Sequence, residues 1–233
     1  MLKAGLCALI FIGMAVPFKV MVLIPGLTEV RPVNAIPIAA GLLFGPVGAW
    51  GCAVGNLVAD LFGTFSIASL FGFIGNFTAA YLPYKIWHMK GEGEVPNVKT
   101  NKNMGKFILI SVITSLCVAV ILSCSLDILN IAWGRSMFLI LFLNDLGFSL
   151  LLGLPVFIVL TTDQINIDAI IPKPFSQGKK DLIIKKGLII AVTVSEIIFS
   201  VCVCMEIRIM QSWVMIVSGI AFGVSVVAFM IRK

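Results

Sequence analysis

Charged side chains are almost missing from a succession of apolar runs that fill most of this chain. The runs are residues 4–23, 36–44, 47–62, 65–87, 107–129, 137–160, 187–205 and 213–230. In hydrocarbon the backbone must satisfy its own hydrogen bonds, and a helix does so within one segment. Of the 233 residues 60% are hydrophobic and 12% charged, more apolar surface than a water-soluble domain of this size can hide. The reading is all-α: a polytopic membrane helix bundle of eight spans, several of them short.

The lysines set the expected orientation. Lys85, Lys90, Lys99, Lys102 and Lys106 cluster around a polar loop at 88–106. Lys173, Lys179, Lys180, Lys185 and Lys186 cluster around a second at 161–186, and Lys3 lies at the N-terminus. Short basic loops stay cytoplasmic. An even number of spans must then separate Lys3 from the first basic loop. That condition makes Gly45-Pro46 a tight cytoplasmic turn between two short helices, since Pro disfavours helix in the residue before it. Both termini are expected inside, and the lysine-poor segments 28–34, 63–64, 130–136 and 206–212 outside.

The same pattern excludes other classes. A net charge of +6 concentrated in loops, with no basic face interleaved with aromatics, is no nucleic-acid signal. The six cysteines fall mostly within apolar runs, and Cys202-x-Cys204 has no second ligand pair, so no metal is expected. There is no phosphate-binding loop, zinc motif or serine elbow, and the one histidine, His88, sits in a basic loop. Neither an enzyme nor a cofactor is expected.

Polar groups inside apolar runs and at their ends are the candidate site. Asn56 and Asp60 are four apart and share one helical face, where they could bridge an amide or amine, or simply join helices. Asn144 and Asp145 lie well inside the sixth run. An intramembrane carboxylate marks a functional site by default, the alternative being a salt bridge to Arg135, Arg31 or Lys19. Arg31 could hold an acidic or carbonyl-bearing solute through its planar fork, with Asn34 nearby. Asn76 reads as a bond between helices. Trp133 and Trp213 fall at an outer aromatic belt, and Trp133 could instead stack on a flat heterocycle. The expected cavity gathers Arg31, Asn34, Asn56, Asp60, Asn144 and Asp145, with Trp133 at its rim. Gly51, Gly55 and Ala59 form a ridge of small residues suited to close helix packing, and Ala4 and Ala8 are a shorter pair of the same kind.

Arg31-Pro32, then Ile36-Pro37, then GLLFGPVG (41–48) and a glycine-rich helix ending in Asn56 to Asp60 form a recognisable series. Over about residues 4–160 the chain resembles the substrate-binding S-components of energy-coupling-factor (ECF) vitamin transporters. The resemblance implies a six-helix membrane domain at 1–160 that captures a vitamin-like solute at the outer face. It implies docking on a T-component carrying two ATPase subunits, with Ala4 and Ala8 matching the family's docking pattern. Reorientation of the whole subunit would then release the solute inside. The surroundings of Arg31 and Asn56 resemble the subgroup linked to queuosine precursors. Residues 161–233, a cytoplasmic loop and two additional transmembrane helices, have no counterpart in the six-helix pattern, and Glu196 within them has no assigned role. Two other classes remain open. A membrane sensor would continue into a cytoplasmic signalling domain, and a stand-alone secondary transporter would carry inverted repeats.

Overall fold

The structure, a computed structural model, describes residues 2–24, 28–63, 65–89, 95–132, 135–162, 179–208 and 212–232. Its helices are α1 (Leu2–Ala15), α2 (Ile36–Phe44), α3 (Pro46–Asp60), α4 (Ala68–Trp87), α5 (Asn101–Ile128), α6 (Arg135–Phe148), α7 (Leu154–Leu160), α8 (Lys179–Cys204) and α9 (Trp213–Ile231). The all-α expectation holds, with one small addition. The first run does not stay helical to residue 23. It leaves the α-helix at Ala15, passes Pro17 in a 3-10 turn (Val16–Phe18), and extends into β1 (Val22–Ile24). Strand β1 pairs antiparallel with β2 (Thr28–Glu29), Val22 opposite Glu29. Pro17 supplies no N–H to the ladder and stops the helix there.

Among the described residues four stretches are long and apolar enough to cross a bilayer: Asn101–Ile128, Arg135–Leu160, Lys180–Cys204 and Trp213–Ile231. Leu2–Phe18 and Pro32–Phe44 are shorter apolar helices. With nine residues α2 is about 13 Å long, well under the ~30 Å of hydrocarbon. Gly45 alone joins it to α3, at φ 57° and ψ −134°, a conformation open to glycine. Pro46 then opens α3, where its missing N–H is harmless. The turn expected at Gly45-Pro46 is therefore present.

Small residues set the closest helix contacts. A Cβ on Gly51 would lie 2.6 Å from the Ala4 carbonyl oxygen and from Cys7 Cβ; one on Gly55 would lie 2.8 Å from Phe11 Cβ. The expected ridge of α3 is therefore packed on α1. Gly41 of α2 approaches α4 more closely still.

The polar loops are shorter than expected. Thr100 Oγ1 accepts from Asn103 N–H at 3.1 Å and caps α5, which starts six residues before the apolar run. Lys106 Nζ sits 4.1 Å from the centre of the Trp87 ring. His88 is buried, with Nδ1 2.9 Å from the Tyr84 carbonyl, and burial holds its imidazole below the usual histidine range. Helix α8 begins at Lys179, not near residue 187. It packs on α5 and α6, and α9 packs on α8 and α4. Val192, Phe199, Met215, Phe222 and Phe229 share one core with Leu82, Cys117, Val120 and Phe138. Glu196 is fully buried in that contact and faces the Cys117 thiol.

Candidate functional site

A 3-10 turn, Pro32–Ala35, follows β2 and is laced to α6 by hydrogen bonds. Arg31 N–H donates to Asn144 Oδ1 at 3.3 Å, and Asn144 Nδ2 donates to the Glu29 carbonyl at 3.0 Å. The Asn34 side-chain amide donates to Asp145 Oδ1. Ser149 Oγ donates to the Asn34 carbonyl at 3.1 Å. The side chains of Asn144 and Asp145 thus fasten the turn on one side and face a cavity on the other.

The α6–α7 rod is shaped for this. Pro155 cannot donate to the carbonyl one turn back, and a π-helical turn, Ser149–Gly153, precedes it. A Cβ on Gly153 would lie 2.8 Å from the Ala35 carbonyl oxygen, so glycine lets the 3-10 turn rest on the rod.

The second half of the polar network lies behind Arg31. Its Nη2 donates to Asn56 Oδ1 at 2.5 Å, and its Nε lies 4.0 Å from Glu29 Oε1. Asn56 Nδ2 donates to Asp60 Oδ2 at 3.4 Å. Lys19 Nζ is 3.0 Å from Asp60 Oδ1 and 3.3 Å from Glu29 Oε1. Gly72 of α4 clears the space for Asn56, because a Cβ there would lie 2.8 Å from Asn56 Nδ2. Three carboxylates, an arginine and a lysine would be costly in an apolar bundle singly; here each has a partner.

The cavity is enclosed by the 3-10 turn and by α2, α4, α5 and α6. Arg31, Asn34, Asn144, Asp145 and Ser149 line one part of it. Asn76, Thr114 and Ser115 add polar groups, and Pro37, Ile38, Ala79, Val118 and Leu141 supply apolar wall. The space, its opening included, is about 480 Å³, of which about 30 Å³ admits the centre of a water molecule. Apolar walls with a few convergent polar groups are what a small-molecule site requires. Thr114 Oγ1 is buried and has no hydrogen-bond partner among the described residues. A buried hydroxyl left in that state carries a desolvation penalty that a ligand would remove.

Four of the residues picked out in the sequence therefore line one cavity: Arg31, Asn34, Asn144 and Asp145. Asn56 is one bond behind Arg31. Asp60 is further back, paired with Lys19, so it supports the wall without reaching the space. Trp133 lies outside the described residues. Asn76, read from the sequence as a bond between helices, instead lines the cavity, and its Nδ2 donates to Gly72 of its own helix at 2.9 Å. Thr114, Ser115 and Ser149 carry no such mark in the sequence. Hydroxyls in apolar helices commonly bond the carbonyl four residues back, as Ser111 and Ser125 do here, so their presence alone carries little signal.

Residues 1–162 match the family model described as QueT transporter. The chain belongs to the QueT transporter family. It is accordingly an ECF-type S-component, a multi-pass membrane transport protein. Neither the curated proteins nor the solved structures compared with it gave a match. The QueT match contains every residue that lines the cavity, together with Lys19, Glu29, Asn56 and Asp60 behind it. Helices α8 and α9 lie beyond it.

Proposed function

We propose that this QueT-family S-component captures a queuosine precursor, a flat guanine-like heterocycle, in the cavity beneath Arg31. The family supports the solute class, and the observation that carries the reading is the Asn34–Asp145 pair on the cavity wall. A guanine-like edge presents adjacent N–H donors beside a carbonyl acceptor. The Asp145 carboxylate accepts from the donors. Arg31, Asn144 or the Thr114 hydroxyl donates to the carbonyl. Pro37, Ile38, Val118 and Leu141 cover the faces of the ring. Arg31, which lines the space and is bonded to Asn56, stands at the cavity wall where it can reach the solute. Mass spectrometry of small molecules carried through purification tests this directly. A guanine-like base is the expected find; a solute lacking that donor edge would refute the assignment.

Transport follows by docking on a T-component with two ATPase subunits and reorientation of the S-component. Ala4 and Ala8, both half-buried on α1, provide the close-approach surface. Ala4→Leu with Ala8→Leu should cut recovery of the T-component complex and leave solute binding intact, since overpacking a fitted contact costs about 1–3 kcal/mol. Unchanged recovery would take both alanines out of the interface. Residues 1–160 form the solute-binding domain and 161–233 an appended pair of helices, a division supported by the extent of the family match.

Both termini and the Gly45-Pro46 turn face the cytoplasm. In a Cys204→Ser background, which removes the exposed native thiol, Val47→Cys and Lys102→Cys should react from the inside and Ile131→Cys from the outside. Opposite labelling of Val47→Cys and Lys102→Cys would overturn this topology.

A further inference from the structure

The α4–α5 wall of the cavity differs in chemistry from the side that carries Arg31 and Asp145. A Cβ on Gly75 would lie 3.6 Å from Val118 Cγ1, so α4 and α5 touch at this level. Asn76 follows Gly75 directly, and Thr114 lies one turn before Val118 on the same face of α5. Asn76, Thr114 and Val118 all line the cavity, and none carries a charge.

The two polar groups are left in complementary states. Asn76 commits its Nδ2 to the Gly72 carbonyl at 2.9 Å, and that bond fixes which end of the amide is nitrogen. Among the described residues its Oδ1 accepts no hydrogen bond, so Asn76 brings an unused acceptor to the wall. Thr114 is 1% exposed, and among the described residues its Oγ1 has no partner. The hydroxyls of Thr161 and Thr193 reach the carbonyl four residues back in their own helices; that of Thr114 does not. It is a buried donor still to be satisfied, and the cavity is the space it lines.

For the guanine-like solute proposed above, on which this inference rests, two N–H donors go to Asp145 and the carbonyl goes to Arg31 or Asn144. Beyond the carbonyl the ring presents acceptors only. The opposite edge, where a nucleoside carries its sugar, presents a ring N–H beside an unprotonated ring nitrogen. That donor and acceptor complement Asn76 Oδ1 and Thr114 Oγ1. We infer that Asn76 and Thr114 read the sugar edge of the free base, Asn76 accepting from its ring N–H and Thr114 donating to the adjacent nitrogen, so that the site takes the base and rejects its riboside. A riboside lacks the N–H and leaves the Asn76 acceptor unpaired, which is the condition under which a buried polar site discriminates strongly.

The test is equilibrium dialysis of the full chain in detergent with tritiated guanine, competed by 9-methylguanine, guanosine and 3-deazaguanine. The 9-methyl base replaces the ring N–H, and the 3-deaza base removes the neighbouring acceptor. The unmodified protein should bind guanine at least about ten-fold more tightly than 9-methylguanine or guanosine, and about five-fold more tightly than 3-deazaguanine. Asn76→Leu should weaken guanine and spare 9-methylguanine, bringing the two within about three-fold. Thr114→Val, which keeps the shape and loses the hydroxyl, should level guanine with 3-deazaguanine, and Thr114→Ser should restore the difference. A structural role for either residue would lower all the bases together with their ratios unchanged, and that result overturns the inference. If Asn76→Leu does not fold, Thr114→Val decides alone, an unchanged ratio of guanine to 3-deazaguanine being the refuting result. Failure of guanine itself to bind overturns the guanine-like solute and this inference with it. Guanine binding that is lost in Asp145→Ala, with 9-methylguanine bound as tightly as guanine, leaves the solute class standing and overturns the sugar-edge assignment alone.

Discussion

Gly41→Ala should unfold or severely loosen this bundle. The added methyl would sit 2.6 Å from the Ala80 carbonyl carbon and closer still to its oxygen. Both are backbone atoms, so no rotamer change relieves the clash, and α2 must move away from α4. Overpacking costs about 1–3 kcal/mol where side chains can yield, and here they cannot. The loss should therefore reach or exceed the top of that range, lowering the thermal midpoint by roughly 6 °C or more. Gly147→Ala in α6 and Gly219→Ala in α9 are the comparison, because a Cβ at either meets nothing within 4 Å. They should be neutral or slightly stabilising, since alanine is a better helix former by about 1 kcal/mol. Equal melting of Gly41→Ala and Gly219→Ala would show that α2 and α4 do not approach as described. Solute binding should fall with Gly41→Ala as well, because Pro37 and Ile38 of α2 and Asn76 and Ala79 of α4 line the same cavity.

Asp145→Ala carries the largest expected effect on binding. It removes the carboxylate from the cavity and strands the Asn34 amide that donates to it. A hydrogen bond to a charged group contributes about 1.5–3 kcal/mol, so calorimetry with a guanine-like base should report affinity lower by about ten- to a hundred-fold. Asp60→Ala should do less, because Asp60 acts through Lys19 and Asn56 and does not reach the space. A folded Asp145→Ala protein with unchanged affinity would exclude Asp145 from the solute contacts. If Asp60→Ala were the more damaging of the two, the network behind Arg31, and not the cavity wall, would be the recognition surface.

Several of these relationships are legible in the order of residues. Asn144-Asp145 stands out because an unpaired carboxylate within an apolar run is expensive enough to demand a reason. Asn56 stands out on the same ground, and Arg31 and Asn34 as polar residues at the entrance to the second run. The Gly45-Pro46 turn is readable because glycine permits a positive φ and proline blocks helix before it. The ridge Gly51, Gly55, Ala59 is readable because small residues four apart have few uses in lipid other than close packing. Thr114 and Ser115 are not readable. Hydroxyls can be absorbed by their own helix, and the failure of Thr114 to do so depends on where α5 sits relative to α4 and α6. The role of Asp60 is equally hidden. One helical face can hold it beside Asn56 without indicating that Lys19, forty-one residues earlier, takes its charge.

Local chemistry thus enforces which stretches must be helical and apolar, where the chain must turn, and which polar residues cannot be left alone. Those rules act within a turn or two of helix, and the residues that obey or break them are visible in order along the chain. Which polar groups answer one another is decided by tertiary structure. Asn34 meets Asp145 across 111 positions, and Arg31 reaches back to Glu29, forward to Asn56 and on to Asn144. Such pairings follow from the packing of α1 on α3, of α2 on α4 and of the 3-10 turn on α6. The same packing separates the groups that face the cavity from those that support it. Desolvation requires every buried polar group to find a partner, and only the assembled bundle determines which one is within reach.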